Sequence, residues 1–237
     1  MKAPLMKSIS GIRGIVGKSL DVPTLTTYAT AFGHFAKKGT IVIGRDGRPS
    51  GQAIRDLVAG VLSMVGCRVI DLGIVPTPTI ELAVLDHRAA GGIAITASHN
   101  PIEWNALKFF NADGEFITKA QYNRLEKKIS SGKFIYQPHD KMGAIEYDDK
   151  AIDRHIKDVL KIAGVSRPKI KKARLKVVVD AINGAGSFAM PKLLDTLGVT
   201  YECINCKGDG DFHRKPEPVP EALTQLGRAV RKHRADI

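Results

Sequence analysis

The chain is 237 residues long and 43% apolar, with 36 basic and 24 acidic side chains and a formal net charge of +12. An apolar share of that size supports a sizeable core and excludes global disorder, and the lack of any apolar run of ~18 residues excludes a membrane-spanning helix. The positive surplus favours anionic partners, but no aromatic residues interleave with the basic ones as a single-strand binder requires, so no nucleic-acid partner is expected.

No apolar segment follows Met1-Lys2-Ala3-Pro4 to make a secretory signal, and three cysteines do not suggest a disulfide framework. A cytoplasmic chain is expected. Near the N-terminus, Ser10-Gly11-Ile12-Arg13-Gly14 sets an arginine between glycines. Residues 40–44 read as a buried strand, followed by the basic loop Gly44-Arg45-Asp46-Gly47-Arg48-Pro49-Ser50-Gly51. Residues 52–65 then place Ile54, Leu57, Val58, Val61, Leu62 and Val65 at the spacing of one buried helix face. Gly66 closes that helix. Residues 68–72 read as a second strand, 76–85 as a helix opened by Pro76-Thr77-Pro78-Thr79, and 92–96 as a third strand. Strands alternating with helices predict an α/β fold: a mixed, mainly parallel sheet covered by helices on both faces.

Residues 121–131 read as a polar helix, 133–148 as a mixed segment and 151–163 as a further helix. Residues 164–172 read as a linker, and the cationic run from Lys169 to Lys176 as its solvated approach to a strand. A second unit of similar α/β plan follows: strand 176–180, a Gly-rich turn, helix 187–197, strand 199–204, a Pro-rich loop and helix 220–233. Ala235-Asp236-Ile237 reads as the opening of another strand, so this second unit is expected to be incomplete. The expected organisation is a first domain over residues 1–150, a helix and linker over 151–174, and a truncated second domain over 175–237.

Thr96-Ala97-Ser98-His99-Asn100-Pro101 follows the third strand, at the strand end where open α/β sheets bind ligands. Ser98 is a candidate nucleophile or phosphate carrier, although a hydroxyl needs a base or metal to activate it. A serine-capped Asn-Pro turn gives the same residues a structural role. Lys108 lies among the apolar residues of Asn105-Ala106-Leu107-Lys108-Phe109-Phe110, where desolvation would lower its pKa and let it accept a proton. The alternative is a lysine guarding an edge strand. Arg13, flanked by flexible glycine backbone, can grip a phosphate with two parallel hydrogen bonds. The loop 44–51 is a second candidate anion site, without the spacing of a Walker or dinucleotide loop. Arg45-Asp46 could equally be an internal ion pair.

Two decoys are set aside. Gly208-Asp209-Gly210-Asp211 offers two aspartates and no glutamate at the twelfth loop position, too few ligands for a hard cation. Cys203-Ile204-Asn205-Cys206 lacks the further ligands of a zinc site and ends a strand rather than opening a helix, so it reads as structural. Cys67 reads as a buried residue at a strand start.

Taken together, these segments resemble the α-D-phosphohexomutase family of phosphoglucomutases, phosphomannomutases and phosphoglucosamine mutases. Thr96 to Pro101 matches its phosphoserine signature at every position, Lys108 falls at its general-base lysine, and Ser10 to Gly14 is similar to its N-terminal arginine loop. Residues 44–51, 75–78, 179–186 and 216–218 are similar to further family segments. The resemblance implies Ser98, Lys108, Arg13 and His99 as catalytic residues, with His99 shaping the loop. It implies Ser10, Arg13 and Asn100 as substrate- or phosphate-binding residues, and Mg2+ held in part by Ser98 through its phosphate. The implied reaction moves a phosphoryl group between positions 1 and 6 of a hexose or hexosamine monophosphate. It passes through a phosphoserine enzyme and a hexose bisphosphate that serves as intermediate and activator.

Two departures are visible. Ala106 stands where the family often has glycine, and no Asp-x-Asp-Gly-Asp-Arg metal loop occurs in the 237 residues. The chain by itself is therefore expected to have little activity, and its exposed second unit to permit self-association. A non-catalytic phosphosugar- or protein-binding module is the alternative. The residues do not select among glucose, mannose and glucosamine phosphates.

Overall fold

The protein is described by a computed structural model covering residues 4–237. Seven strands form the larger sheet: β1 (Met6–Ser8), β2 (Gly11–Ile15), β3 (Ile41–Arg45), β4 (Val69–Ile74), β5 (Gly91–Ile95), β6 (Trp104–Phe110) and β7 (Ile145–Tyr147). Their spatial order is β1-β2-β6-β5-β3-β4-β7. Pairing is parallel from β5 through β3 and β4 to β7, and antiparallel from β1 through β2 and β6 to β5. This is the mixed α/β architecture expected from the alternation of strands and helices.

Strand alternation sends side chains to both faces, and both are covered. Ile41 and Ile43 pack with α1 (Val22–Phe35), α2 (Ser50–Val65) and α4 (Lys119–Ser131). Val42, between them, packs on the other face with α3 (Thr77–Asp86) and α5 (Ala151–Val159). Helix ends follow local chemistry. Gly66 adopts the left-handed conformation that ends α2, with φ of 100°. Thr118 and Gln121 form a reciprocal capping box at the start of α4.

Helix α1 is absent from the sequence reading, yet Asp21 caps it by accepting a hydrogen bond from the Thr24 amide, and Pro23 sits in its first turn. The linker expected over residues 164–172 is a correction. Arg167–Ala173 forms a short helix, α6. Pro168 suits its first turn, and Ile170 packs against the core of the second unit.

That unit contains parallel strands β8 (Lys176–Asp180) and β9 (Thr200–Ile204), with helices α7 (Gly186–Leu197) and α8 (Thr224–His233). The backbone of Asp236 and Ile237 lies beside β8: the Asp236 amide donates to the Lys176 carbonyl at 2.8 Å and the Val178 amide to the Ile237 carbonyl at 2.8 Å. Ala189 and Leu193 of α7 pack onto the Val42 face of the first unit. Gly47 and Gly210 meet so closely that a Cβ on Gly210 would lie 2.1 Å from the Gly47 carbonyl oxygen.

Candidate functional site

The antiparallel register of β2 and β6 sets Gly11 opposite Lys108 and Arg13 opposite Ala106. Arg13 and Lys108 are therefore diagonal neighbours on one sheet face. The approach is tight, since a Cβ on Gly11 would stand 2.0 Å from the Leu107 carbonyl oxygen. Glycine at φ 135° is required there. On the other side of β6, β5 runs out into the Thr96–Pro101 loop. Ser10, Arg13, Ser98, His99 and Lys108 thereby line one cleft of about 310 Å³. Arg13 Nη1 donates to Asn100 Oδ1 at 2.7 Å, tying the arginine loop to the serine loop. Ser10 Oγ lies 2.9 Å from Ser8 Oγ. All six residues singled out in the sequence are thus gathered at one place.

Lys108 sits on a strand flanked by β2 and β5, so it does not guard a sheet edge. Its ammonium makes no hydrogen bond or ion pair among the described residues. Burial, reinforced by the Arg13 charge and opposed by Asp46 and Glu81, holds its pKa below the ordinary lysine value. The group is therefore easier to deprotonate than a solvated lysine.

Ser98 has φ of 56°, a left-handed conformation unusual for serine. Its Oγ lies 3.3 Å from His99 Nδ1, and His99 Nε2 lies 3.1 Å from Glu217 Oε2. The carboxylate of Glu217 thus faces one ring nitrogen of His99 and the Ser98 hydroxyl the other.

Within the loop 44–51, Arg48 is not free to bind an anion. Arg48 is fully buried, and all five of its guanidinium donors are used inside the protein. Nε donates to Asp46 Oδ2, Nη1 to the carbonyls of Pro101 and Trp104, and Nη2 to those of Ser98 and Asn100. Asp46 pairs with Arg48 rather than Arg45, whose Nη2 donates to Gln52 Oε1 at 2.9 Å. Asp46 Oδ2 also accepts from Thr96 Oγ1 at 2.6 Å, and Thr96 Oγ1 accepts from the Ser98 amide at 3.1 Å. Sequence reasoning missed Arg48 and Glu217 as neighbours of Ser98. Arg48 lies 50 positions from Ser98 and is joined to it by folding, with no local spacing to announce it. A signal for Glu217 existed in the family-like Pro216-Glu217-Pro218 segment.

The segment 208–211 belongs to the seam between the units: the Gly210 amide donates to the Asn183 carbonyl at 2.8 Å. Cys203 lies in β9 and Cys206 just beyond it, as a strand-ending pair. Cys67 is buried, and burial pushes its thiol up to about 11. Among the described residues, no group of three or more His, Cys, Asp or Glu side chains is gathered so as to hold a metal. Two carboxylates beside the serine loop are engaged, Asp46 by Arg48 and Glu217 by His99. Ser98 alone does not fit magnesium, which demands near-octahedral oxygen ligation. No helix among the described residues is long and apolar enough to cross a membrane.

Comparison with known proteins bears on this geometry. The family model for phosphoglucomutase/phosphomannomutase alpha/beta/alpha domain I matches residues 6–136, and that for domain II matches residues 153–237. A Methanopyrus kandleri protein assigned as a phosphoglucosamine mutase is 36% identical over 229 residues, covering 96% of this chain and 49% of the relative. A phosphoglucomutase/phosphomannomutase from Thermococcus kodakarensis is 37% identical over 234 residues, covering 96% and 50%. The crystal structure of a Thermus thermophilus protein assigned as a phosphomannomutase superposes with a TM-score of 0.82 at 28% identity, covering 97% of this chain and 52% of that one. The chain spans about half the length of the relatives it matches.

Proposed function

We propose that this chain, which belongs to the phosphoglucomutase/phosphomannomutase family, carries the phosphoryl-holding part of a phosphohexomutase site. Its substrate is a hexose or hexosamine monophosphate, and its setting the cytoplasm. The observation that carries this reading is the cleft in which Ser98, Arg13 and Lys108 converge.

In this reading Ser98 holds a phosphoryl group on Oγ. A free hydroxyl at position 1 or 6 of the sugar attacks it. The Ser98 O–P bond breaks as the sugar O–P bond forms; the hydroxyl proton passes to neutral Lys108, whose lowered pKa suits a general base, and the departing Ser98 Oγ takes up a proton from water in the open cleft to become the free hydroxyl. The product is a hexose bisphosphate. After it turns over in the cleft, its other phosphoryl group returns to Ser98 Oγ, leaving the isomerised monophosphate. The same bisphosphate acts as activator by charging Ser98 when the serine is free.

Arg13 neutralises the transferring group, and Ser10 and Asn100 complete its hydrogen-bonding surroundings. Phosphoryl transfer depends chiefly on such positioning and charge neutralisation. His99, beside Glu217, stands against the Ser98 hydroxyl and shapes the loop that carries it. No step is assigned to magnesium. Residues 4–237 contribute Ser98 alone toward such an ion, so slow turnover is expected of this chain by itself.

The test is to incubate the chain with glucose 1,6-bisphosphate and magnesium and to map phosphate by mass spectrometry. One phosphate on Ser98, absent from Ser98→Ala, is the expected result. Phosphate on another residue, or none after prolonged incubation, would sink the reading.

A further inference from the structure

The geometry points to Arg48 as the residue that positions the phosphoryl-carrying serine: it clamps the 98–104 segment from beneath, without touching the substrate. The inference about loop geometry stands on contacts alone, and its consequence for phosphoryl transfer rests on the mutase reading of Ser98.

The clamp has three parts. The first is donor saturation. The Arg48 guanidinium makes bonds of 2.6–3.1 Å to the carbonyls of Ser98, Asn100, Pro101 and Trp104 and to Asp46. With no N–H left over, Arg48 cannot grip a phosphate, and its placement fixes four carbonyl directions at once. A planar fork with five donors is suited to this, and a lysine with three is not.

The second part is strain. Ser98 at φ 56° sits in the left-handed region, where an L-residue is strained. Such a conformation persists only when its surroundings over-determine it. Arg48 holds the Ser98 carbonyl, and the Thr96 hydroxyl holds the Ser98 amide while itself donating to Asp46. Both peptide groups flanking Ser98 are therefore referred back to the same Asp46–Arg48 pair.

The third part is cover. The Phe212 ring of the second unit lies over Arg48, with 5.0 Å from the guanidinium carbon to the ring centroid. It helps to keep water from competing for the carbonyl bonds and from relaxing the strained residue.

Removing Arg48 takes a donor from the carbonyls of Ser98, Asn100, Pro101 and Trp104 and frees Ser98 to leave the left-handed region. Displacements on the scale of an ångström at a reacting atom cost on the order of 100-fold in rate. The experiment compares wild type, Arg48→Ala, Arg48→Lys and Thr96→Val in two measurements. One is hydrogen exchange of the peptide spanning residues 98–104. The other is the rate of Ser98 phosphorylation by glucose 1,6-bisphosphate, with and without millimolar guanidinium.

Arg48→Ala is expected to expose the 98–104 amides to fast exchange and to slow phosphorylation on the order of 100-fold. Guanidinium should restore part of that loss in a saturable way and leave wild type unchanged. Arg48→Lys should fall between the two. Thr96→Val, which keeps side-chain shape and removes the hydroxyl, should shift both readouts in the same direction by less.

Wild-type exchange in Arg48→Ala would overturn the clamp. So would slowed phosphorylation that guanidinium does not relieve, accompanied by wild-type behaviour of Thr96→Val. If wild type itself takes up no phosphate, the mutase reading fails, and the exchange data still decide on Arg48.

Discussion

The two units of the chain are built to different depths. The larger sheet closes its interior completely: Phe32, Ile43, Leu62 and Phe109 are 0% exposed. The core of the second unit consists of Val179, Ala181, Leu194 and Val199, each still 6–8% exposed. The second unit also leans on the first, through Ala189 and Leu193 of α7, the Gly47–Gly210 contact and the Phe212–Arg48 stack. The difference teaches where rigidity resides. A closed core supplies the fixed platform for Arg13 and Lys108, and a shallower unit covers the base of the serine loop.

The largest expected effect comes from the platform. Phe109 stacks on Phe32 with centroids 4.8 Å apart. Phe109→Ala should cost about 3–5 kcal/mol in denaturant unfolding. A loss near zero would mean that the sheet is not the stable unit. Leu194→Ala should cost about 2 kcal/mol. In hydrogen exchange it should loosen residues 176–237 while leaving β3, β5 and β6 protected; equal loosening everywhere would erase the distinction between the units.

Gly210→Ala tests the seam. Its φ is 71°, and the added carbon meets the Gly47 carbonyl. Overpacking of this kind costs about 1–3 kcal/mol, and the expected signature is faster exchange around residues 47 and 210. Wild-type exchange there would show that the units do not depend on this contact.

The smallest effect concerns α5. Asp148 is held below its ordinary value of 3.8, first by its hydrogen bonds from Arg154 and then by His87. Because the folded pKa is depressed, its contribution is complete above the unfolded value and is lost as pH falls through the folded one. The stability advantage of wild type over Asp148→Asn should therefore hold at neutral pH and shrink below about pH 4. An advantage that grows on acidification would contradict this.

Much of the fold was legible because its signals are local. The stripe from Ile54 to Val65 and the cap at Gly66 need no tertiary information. Helix α1 was not legible, because Thr30, Ala31, Phe32 and Gly33 are buried around much of its circumference and leave no clean polar stripe to mark its period. Ile170 was a single apolar residue in a cationic run, too little to announce α6. At the site, the Ser98 loop is contiguous and could be read directly. The diagonal placement of Arg13 and Lys108 depends on the pairing of β2 with β6, which no local signal announces; the family resemblance implied only that both residues serve one site. Arg48 was misread because an arginine between Gly47 and Pro49 looks the same in sequence whether it faces an anion or four carbonyls.

The most direct measurement follows the phosphoryl group itself. The Ser98-phosphorylated chain is mixed with a hexose monophosphate, and phosphorus NMR follows protein and sugar together over hours. Phosphoserine should decline as hexose bisphosphate appears, one for one. Release of inorganic phosphate with no bisphosphate formed would contradict the account, because Ser98 would then be losing its phosphoryl group to water rather than passing it to the sugar.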